Sequence, residues 1–90
     1  MRVVYKETAR DDLRGIAAYI GRHDTDAAKR VMRGLRARIE VLSRFPRLGR
    51  PGELPGTREL VIPGLPYVVP YQIEQGRVTI LRVLHSAQDR

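Results

Sequence analysis

The sequence from Tyr67 to Leu84 reads YVVPYQIEQGRVTILRVL, and its pattern is the main indication of the fold class. Two segments rich in β-branched and aromatic residues, Tyr67 to Glu74 and Arg77 to Leu84, predict two β-strands. Between them, Gln75-Gly76 has the length of a two-residue hairpin turn. Pro70 interrupts the first strand, and because proline has no N–H to give to a neighbouring strand, we expect a bulge or a sheet edge there.

Alternation along this hairpin assigns its side chains to two faces of a sheet. One face carries Tyr67, Val69, Tyr71, Ile73, Val78, Ile80, Arg82 and Leu84. The other face carries Val68, Pro70, Gln72, Thr79, Leu81, Val83 and His85. The first face is the more apolar, so we expect it to pack against helices and the second to line an open concavity. A charge on a packed face needs a partner, and we predict that Arg82 forms an ion pair with Asp12 or Glu59.

The N-terminal half predicts a strand followed by two helices. Arg2 to Lys6 has the pattern of a short strand, and the first helix follows, with Thr8 as its candidate cap and Gly21 at its end. Its apolar stripe consists of Ala9, Leu13, Ile16, Ala17 and Ile20. The second helix begins after Asp24 or Thr25. Its stripe consists of Ala28, Val31, Met32, Leu35, Ile39 and Leu42. The short link between the helices predicts an antiparallel hairpin.

Basic residues dominate the charge, with 17 Lys and Arg against 10 Asp and Glu and a net charge of +7. Nearly all are arginine, which suits phosphates and carboxylates, and the surplus favours a nucleic acid or an acidic protein surface as partner. The side chains that fall away from the second helix's stripe are Lys29, Arg30, Arg33, Arg36 and Arg44. The residues predicted to contact a partner are Arg30, Arg33, Arg36 and Arg50.

Between the helices and the hairpin, the chain from Ser43 to Gly56 is dense in proline and glycine and predicts a loop. We expect Phe45, Leu48 and Leu54 to hold this loop on the core. Arg58 to Ile62 then predicts a short strand. The resulting order is β-α-α-β-β-β in a single domain spanning residues 1–90. The predicted class is α+β, with the N-terminal helix hairpin packed on one face of a curved, mainly antiparallel four-stranded sheet.

The composition excludes several classes of protein. There is no cysteine, which excludes disulfides, thiolate metal sites and a cysteine nucleophile. His23 and His85 lie far apart and outside any metal-ligand spacing, so we predict no metal site and no cofactor. No apolar run is long enough to span a membrane, and the N-terminus shows no signal-peptide pattern. We therefore expect a cytoplasmic protein with no membrane association.

Five motifs follow one another along the chain. They are AxxDLxxIxxYI from Ala9, FPxLGR from Phe45, GTREL from Gly56, YVVPY from Tyr67 and ILRVLH from Ile80. In this order and spacing the chain resembles the RelE/ParE superfamily over nearly its whole length. The resemblance implies the growth-inhibiting toxin of a type II toxin–antitoxin system, bound in a hetero-oligomer by an antitoxin encoded beside it. A small core and a basic surface fit an acidic partner that folds on binding.

The resemblance leaves two activities open. RelE-like members are ribosome-dependent mRNA endoribonucleases, whereas ParE-like members inhibit DNA gyrase and have no established catalytic residues. Members that cleave RNA usually carry an arginine after the tyrosine of the third strand and basic or aromatic residues near the C-terminus. Here Val68 follows Tyr67, and the chain ends in SAQDR. The chain therefore resembles the ParE-like branch more closely, and whether it is an enzyme stays open at this stage.

For the ribonuclease alternative, cleavage through the 2′-OH needs an acid or base and a cation that stabilises the phosphorane. His85 is the candidate acid or base, and either Arg58 or Arg82 is the candidate stabiliser. The same residues have structural interpretations: an ion pair for Arg82, a hydrogen bond for His85 and simple solvation for Arg58. A third possibility is a member that has lost its toxicity and still binds its antitoxin.

Overall fold

The structure is a computed structural model that describes residues 1–88, so Asp89 and Arg90 of the C-terminal SAQDR segment lie outside the described residues. In chain order the elements are β1 (Arg2–Tyr5), α1 (Glu7–Gly21), α2 (Thr25–Glu40), a short 3-10 helix (Val41–Ser43), β2 (Arg50–Pro51), β3 (Thr57–Val61), β4 (Tyr67–Glu74), β5 (Arg77–Ile80), β6 (Leu84–His85) and a second 3-10 helix (Ser86–Gln88). The predicted order of strands and helices is confirmed, with two additional two-residue strands.

The helix boundaries follow local sequence signals with one exception. Helix α1 ends at Gly21, and α2 is capped by Asp24, whose side chain accepts a hydrogen bond from the Ala27 N–H at 3.0 Å. The predicted cap at Thr8 is wrong. Its hydroxyl instead donates to the carbonyl of Leu81 at 2.8 Å, and α1 begins after Lys6 with no side-chain cap. Thr8 thus joins α1 to the end of the sheet.

The sheet has the strand order β1-β5-β4-β3-β2, and β6 pairs with β4 beyond the end of β5. Strand β1 runs parallel to β5, and every other pairing is antiparallel, as the sequence predicted. The turn between β4 and β5 has positive φ at both Gln75 and Gly76, which is the geometry of a two-residue hairpin turn. The fold class is therefore the predicted one, with a six-stranded sheet in place of four strands.

A bulge separates β5 from β6 beside Pro70. Ile80 pairs with Tyr71 and Leu84 pairs with Val68, so the three residues 81–83 on one side face the two residues 69–70 on the other. Pro70 has no N–H to donate, and its carbonyl accepts from the Leu81 N–H at 2.9 Å. The extra residue reverses the faces beyond it. The face assignments predicted for Val83, Leu84 and His85 are therefore wrong.

The core lies between the helix pair and one face of the sheet. Its buried members are Ala9, Leu13, Leu35, Ile39, Leu42, Leu60, Ile62, Tyr67, Val69, Tyr71, Val78, Ile80 and Val83. Both helices contribute to this single cluster, so neither covers the opposite face. On that face Val68 and Thr79 are only 4% and 5% exposed, whereas Val61, which pairs with Val68, is 49% exposed. No helix within residues 1–88 has the length and hydropathy required to cross a bilayer.

Candidate functional site

A cavity of about 650 Å³ lies between α1 and the C-terminal segment. Helix α1 contributes Ile16 and Tyr19, and the sheet side contributes Tyr67, Leu84 and His85. Tyr19 is 65% exposed at the rim, so the cavity is open to a partner. Two of the three candidate catalytic residues, His85 and Arg82, line this cavity.

An ion pair closes one side of this cavity. The Arg82 Nε donates to Asp12 Oδ2 at 2.7 Å and its Nη2 donates to Oδ1 at 3.0 Å, while the Val83 N–H donates to the same Oδ2 at 2.9 Å. Burial alone would raise the pKa of Asp12, but the bonds from Arg82 and Val83 and the positive charge of Arg82 outweigh it and lower the pKa. The Nε and Nη2 groups of Arg82 are thus both bound to a carboxylate and are not available to bind a phosphate.

His85 stands at the other side of the cavity. Its ring meets the Tyr67 ring edge-on, with 5.6 Å between centroids, and its Nδ1 accepts from the Ala87 N–H at 3.2 Å. The imidazole is exposed and positioned by its own C-terminal turn.

Arg58 lies four residues further along β4 than His85 and on the other side of that strand. It pairs with Tyr71 on one side of that strand, whereas His85 pairs with Tyr67 on the other side. Four residues along a strand span roughly 13 Å, and two strand spacings add roughly 9.6 Å across the sheet. The Arg58 Nη1 donates to the carbonyls of Gly49 and Arg47, at 2.7 and 3.4 Å. The structure therefore does not bring Arg58 together with His85.

The four arginines predicted to contact a partner fall on two separate surfaces. Arg30, Arg33 and Arg36 are exposed on α2, and the Arg36 guanidinium lies 5.5 Å from the centre of the Tyr5 ring. Arg50 lies in β2 at the edge of the sheet, where its Nη2 is 3.0 Å from Glu59 Oε1. Within residues 1–88, neither Arg30 nor Arg33 forms an ion pair, so the outer face of α2 presents unneutralised charge.

The loop before β2 is fixed by a tyrosine that the sequence identified only as a core aromatic. The Tyr71 hydroxyl accepts from the Gly49 N–H at 2.9 Å and donates to the Pro46 carbonyl at 2.7 Å. Burial raises the pKa of Tyr71, although the Gly49 N–H and the charge of Arg58 oppose the shift. No local pattern links Tyr71 to residues more than twenty positions earlier, so sequence reasoning had no signal for this contact.

The side chains of that loop point outward. Phe45, Leu48 and Leu54 are 58%, 46% and 69% exposed, so the prediction that they hold the loop on the core is wrong. Hydrogen bonds to Tyr71 and Arg58 do this work, and they leave the apolar side chains free to face solvent. Within residues 1–88, no group of three His, Cys, Asp or Glu side chains is arranged to hold a metal ion.

A family model described as the ParE toxin of the type II toxin–antitoxin system parDE matches residues 3–90. The chain belongs to this family. It is 44% identical over 73 residues to Y4kP, a candidate toxin of Sinorhizobium fredii, covering 81% of this chain and 75% of that protein. It is also 33% identical over 87 residues to toxin RelE2 of Caulobacter vibrioides, with 97% of each chain covered.

The fold of this ParE-family toxin has a close match among solved structures. A chain of the chromosomal ParDE toxin–antitoxin system from P. aeruginosa superposes with a TM-score of 0.86, covering 94% of this chain and 95% of that chain at 23% identity. At that identity the match shows the shared fold. Family membership makes the protein a toxin of a type II toxin–antitoxin system, with an antitoxin as its partner.

Proposed function

We propose that this toxin arrests growth by binding DNA gyrase through its surface, and that it does not cut RNA. The observation that carries the proposal is that neither arginine proposed to stabilise the phosphate is free beside His85. Arg58 pairs with Tyr71 and binds the Gly49 carbonyl in the loop of residues 44–50 (the 44–50 loop), while His85 pairs with Tyr67 on the other side of β4 and Arg82 is bound to Asp12. Phosphodiester cleavage needs its acid, base and cation within hydrogen-bond reach of one phosphate.

The free charge of the toxin lies on surfaces suited to protein contact. Arg30 and Arg33 on α2 are exposed and unpaired within the described residues. A cationic surface of this kind speeds the approach of an acidic partner and favours its binding. We infer that the antitoxin neutralises the toxin by covering such surfaces with an acidic segment in a toxin–antitoxin hetero-oligomer, and that toxin and target meet in the cytoplasm.

Two assays with purified components, run side by side, test which target the toxin acts on. Added to a DNA gyrase supercoiling reaction, the toxin is expected to inhibit supercoiling and to trap cleaved DNA, and added to an in vitro translation reaction it is expected to leave the message intact. Adding the antitoxin should restore supercoiling. Normal supercoiling together with a cut message would replace the proposal with the ribonuclease alternative, and no effect in either assay would indicate a toxin that has lost its activity.

A further inference from the structure

The loop from Arg44 to Leu48 displays apolar side chains in a position where they have no packing role. Phe45 is 58% exposed and Leu48 is 46% exposed. Together with Arg44, Pro46 and Arg47 they line a shallow surface depression of about 440 Å³. Isolated exposed apolar residues are common, but an apolar patch rimmed by charge is typical of a binding surface.

This patch is displayed by a rigid support. Behind it, the Tyr71 hydroxyl bridges the Pro46 carbonyl and the Gly49 N–H, and Arg58 binds the Gly49 carbonyl. Gly49 packs so closely on the Tyr71 ring that a Cβ there would lie 2.7 Å from it. A preformed loop loses little conformational freedom when a partner binds, so most of the interaction free energy contributes to affinity.

The rim of the patch is positive. Arg44 and Arg47 flank Phe45 and Leu48, and neither arginine forms an ion pair within the part of the chain that the structure describes. The Arg44 guanidinium lies 5.9 Å from the centre of the Phe45 ring. An apolar centre between two free cations is complementary to a peptide segment that carries apolar side chains on one face and carboxylates beside them.

A protein segment fits this patch better than a nucleic acid does. Single-stranded nucleic acids bind on aromatic platforms within a basic groove. Here one aromatic ring is paired with an aliphatic side chain around an apolar depression. We propose that the Arg44–Leu48 loop is a preformed docking site for an acidic amphipathic segment of the antitoxin. This inference rests on the neutralisation mechanism proposed above, but it does not require that gyrase is the target.

The test measures how tightly full-length toxin variants bind the antitoxin, obtained as the product of the reading frame beside the toxin gene. The double variant Phe45→Ala/Leu48→Ala is expected to weaken binding by about tenfold or more, as is typical when central apolar contacts are removed. Arg47→Glu should also weaken binding, and its effect should shrink as salt is raised. The matched control is Leu54→Ala, which truncates an even more exposed leucine outside the patch and should change the affinity by less than about twofold.

The outcomes separate this proposal from its alternatives. Antitoxin affinity unchanged in the double variant, with thermal unfolding like that of the parent, would overturn it. The proposal is also overturned if the double variant binds antitoxin normally but loses gyrase inhibition, because the patch then contacts the target. The same holds if the double variant loses binding only to a single-stranded RNA probe. If the parent toxin fails to inhibit gyrase, the proposed target is wrong, and the affinity comparison still decides the docking site.

Discussion

Strand β4 has a tethered segment beside its Tyr67 end and another on its Tyr71 side, towards the opposite end. The two segments are held to distant parts of the chain by different chemistry. At the Tyr67 end, the neighbouring segment is held by a charged pair, Asp12 with Arg82. At the Tyr71 end, the loop is held by a neutral hydroxyl and by Arg58 bound to backbone carbonyls. On each side, an arginine that the sequence analysis named as a candidate catalytic residue has a structural role: Arg82 binds Asp12, and Arg58 binds the Gly49 carbonyl. Within residues 1–88, the cations without an ion pair include Arg30 and Arg33 of α2 and Arg44 and Arg47 of the 44–50 loop.

The largest effect is expected at the neutral end, from Gly49→Ala. A Cβ there would lie 2.7 Å from the Tyr71 ring and 2.8 Å from the Glu59 carbonyl oxygen, so the loop must move away from the sheet. Overpacking of this kind costs about 3 kcal/mol. Chemical denaturation should show the loss as a lower midpoint with an unchanged slope. Full stability of this variant would mean that the loop is not held as described.

At the charged end, Asp12→Ala should cost about 2 kcal/mol, because it leaves the Val83 N–H without an acceptor and the Arg82 guanidinium without a counter-charge. The matched control is Asp11→Ala on the same helix. Asp11 forms a surface pair with Arg14, with a side chain that is 64% exposed, and its removal should change little. Equal effects of the two substitutions in denaturation curves would contradict a special role for Asp12.

Removing only the hydroxyl, with Tyr71→Phe, should cost about 1.5 kcal/mol, since it leaves the Gly49 N–H and the Pro46 carbonyl unpaired while the ring stays packed. The same variant should speed proteolysis within the 44–50 loop more than elsewhere. A variant as stable as the parent, with an equally resistant loop, would show that the hydroxyl contributes nothing to holding it.

The smallest expected effect is a difference in pH dependence between the stability that Asp12 contributes and the stability that the Tyr71 hydroxyl contributes. The pKa of Asp12 is lowered in the folded state, so its contribution to stability is complete above the unfolded pKa of about 3.9 and is lost as pH falls through the folded pKa. The difference in unfolding free energy between the parent and Asp12→Asn should therefore stay constant from about pH 7 to pH 5 and then shrink in more acidic solution. The difference between the parent and Tyr71→Phe should not shrink over the same acidic range.

Local signals in the sequence were sufficient to predict the elements. The helical stripes, the Asp24 cap and the Gln75-Gly76 turn depend on neighbouring residues, and all three are present in the structure. The contacts beside Tyr67 and Tyr71 of β4 join residues from 9 to 70 positions apart. Thr8 illustrates the limit, because its sequence suits a helix cap and its hydroxyl is used by Leu81 instead.

The sequence predicted a bulge or a sheet edge at Pro70, but it predicted neither the reversal of the faces beyond the bulge nor the exposure of the loop. Alternation gives the faces of a strand only while the register is unbroken, and Val83 enters the core because an extra residue is accommodated beside Pro70. Hydrophobicity placed Phe45 in the core, but hydrogen bonds from Tyr71 hold its loop without it. Among the candidate site residues, the sequence predicted Asp12 as one of two possible partners of Arg82. The separation of this pair from Arg58 could not be predicted, because it depends on the sheet register.

We propose that this toxin acts through binding surfaces and that its candidate catalytic residues do not assemble into a catalytic site. The most direct measurement is growth arrest on induction of His85→Ala without antitoxin, followed by assays for DNA breaks and for cut messages. We predict that the folded variant arrests growth as the parent does, with broken DNA and intact messages. A folded His85→Ala variant that no longer arrests growth, when the parent cuts messages, would contradict the account.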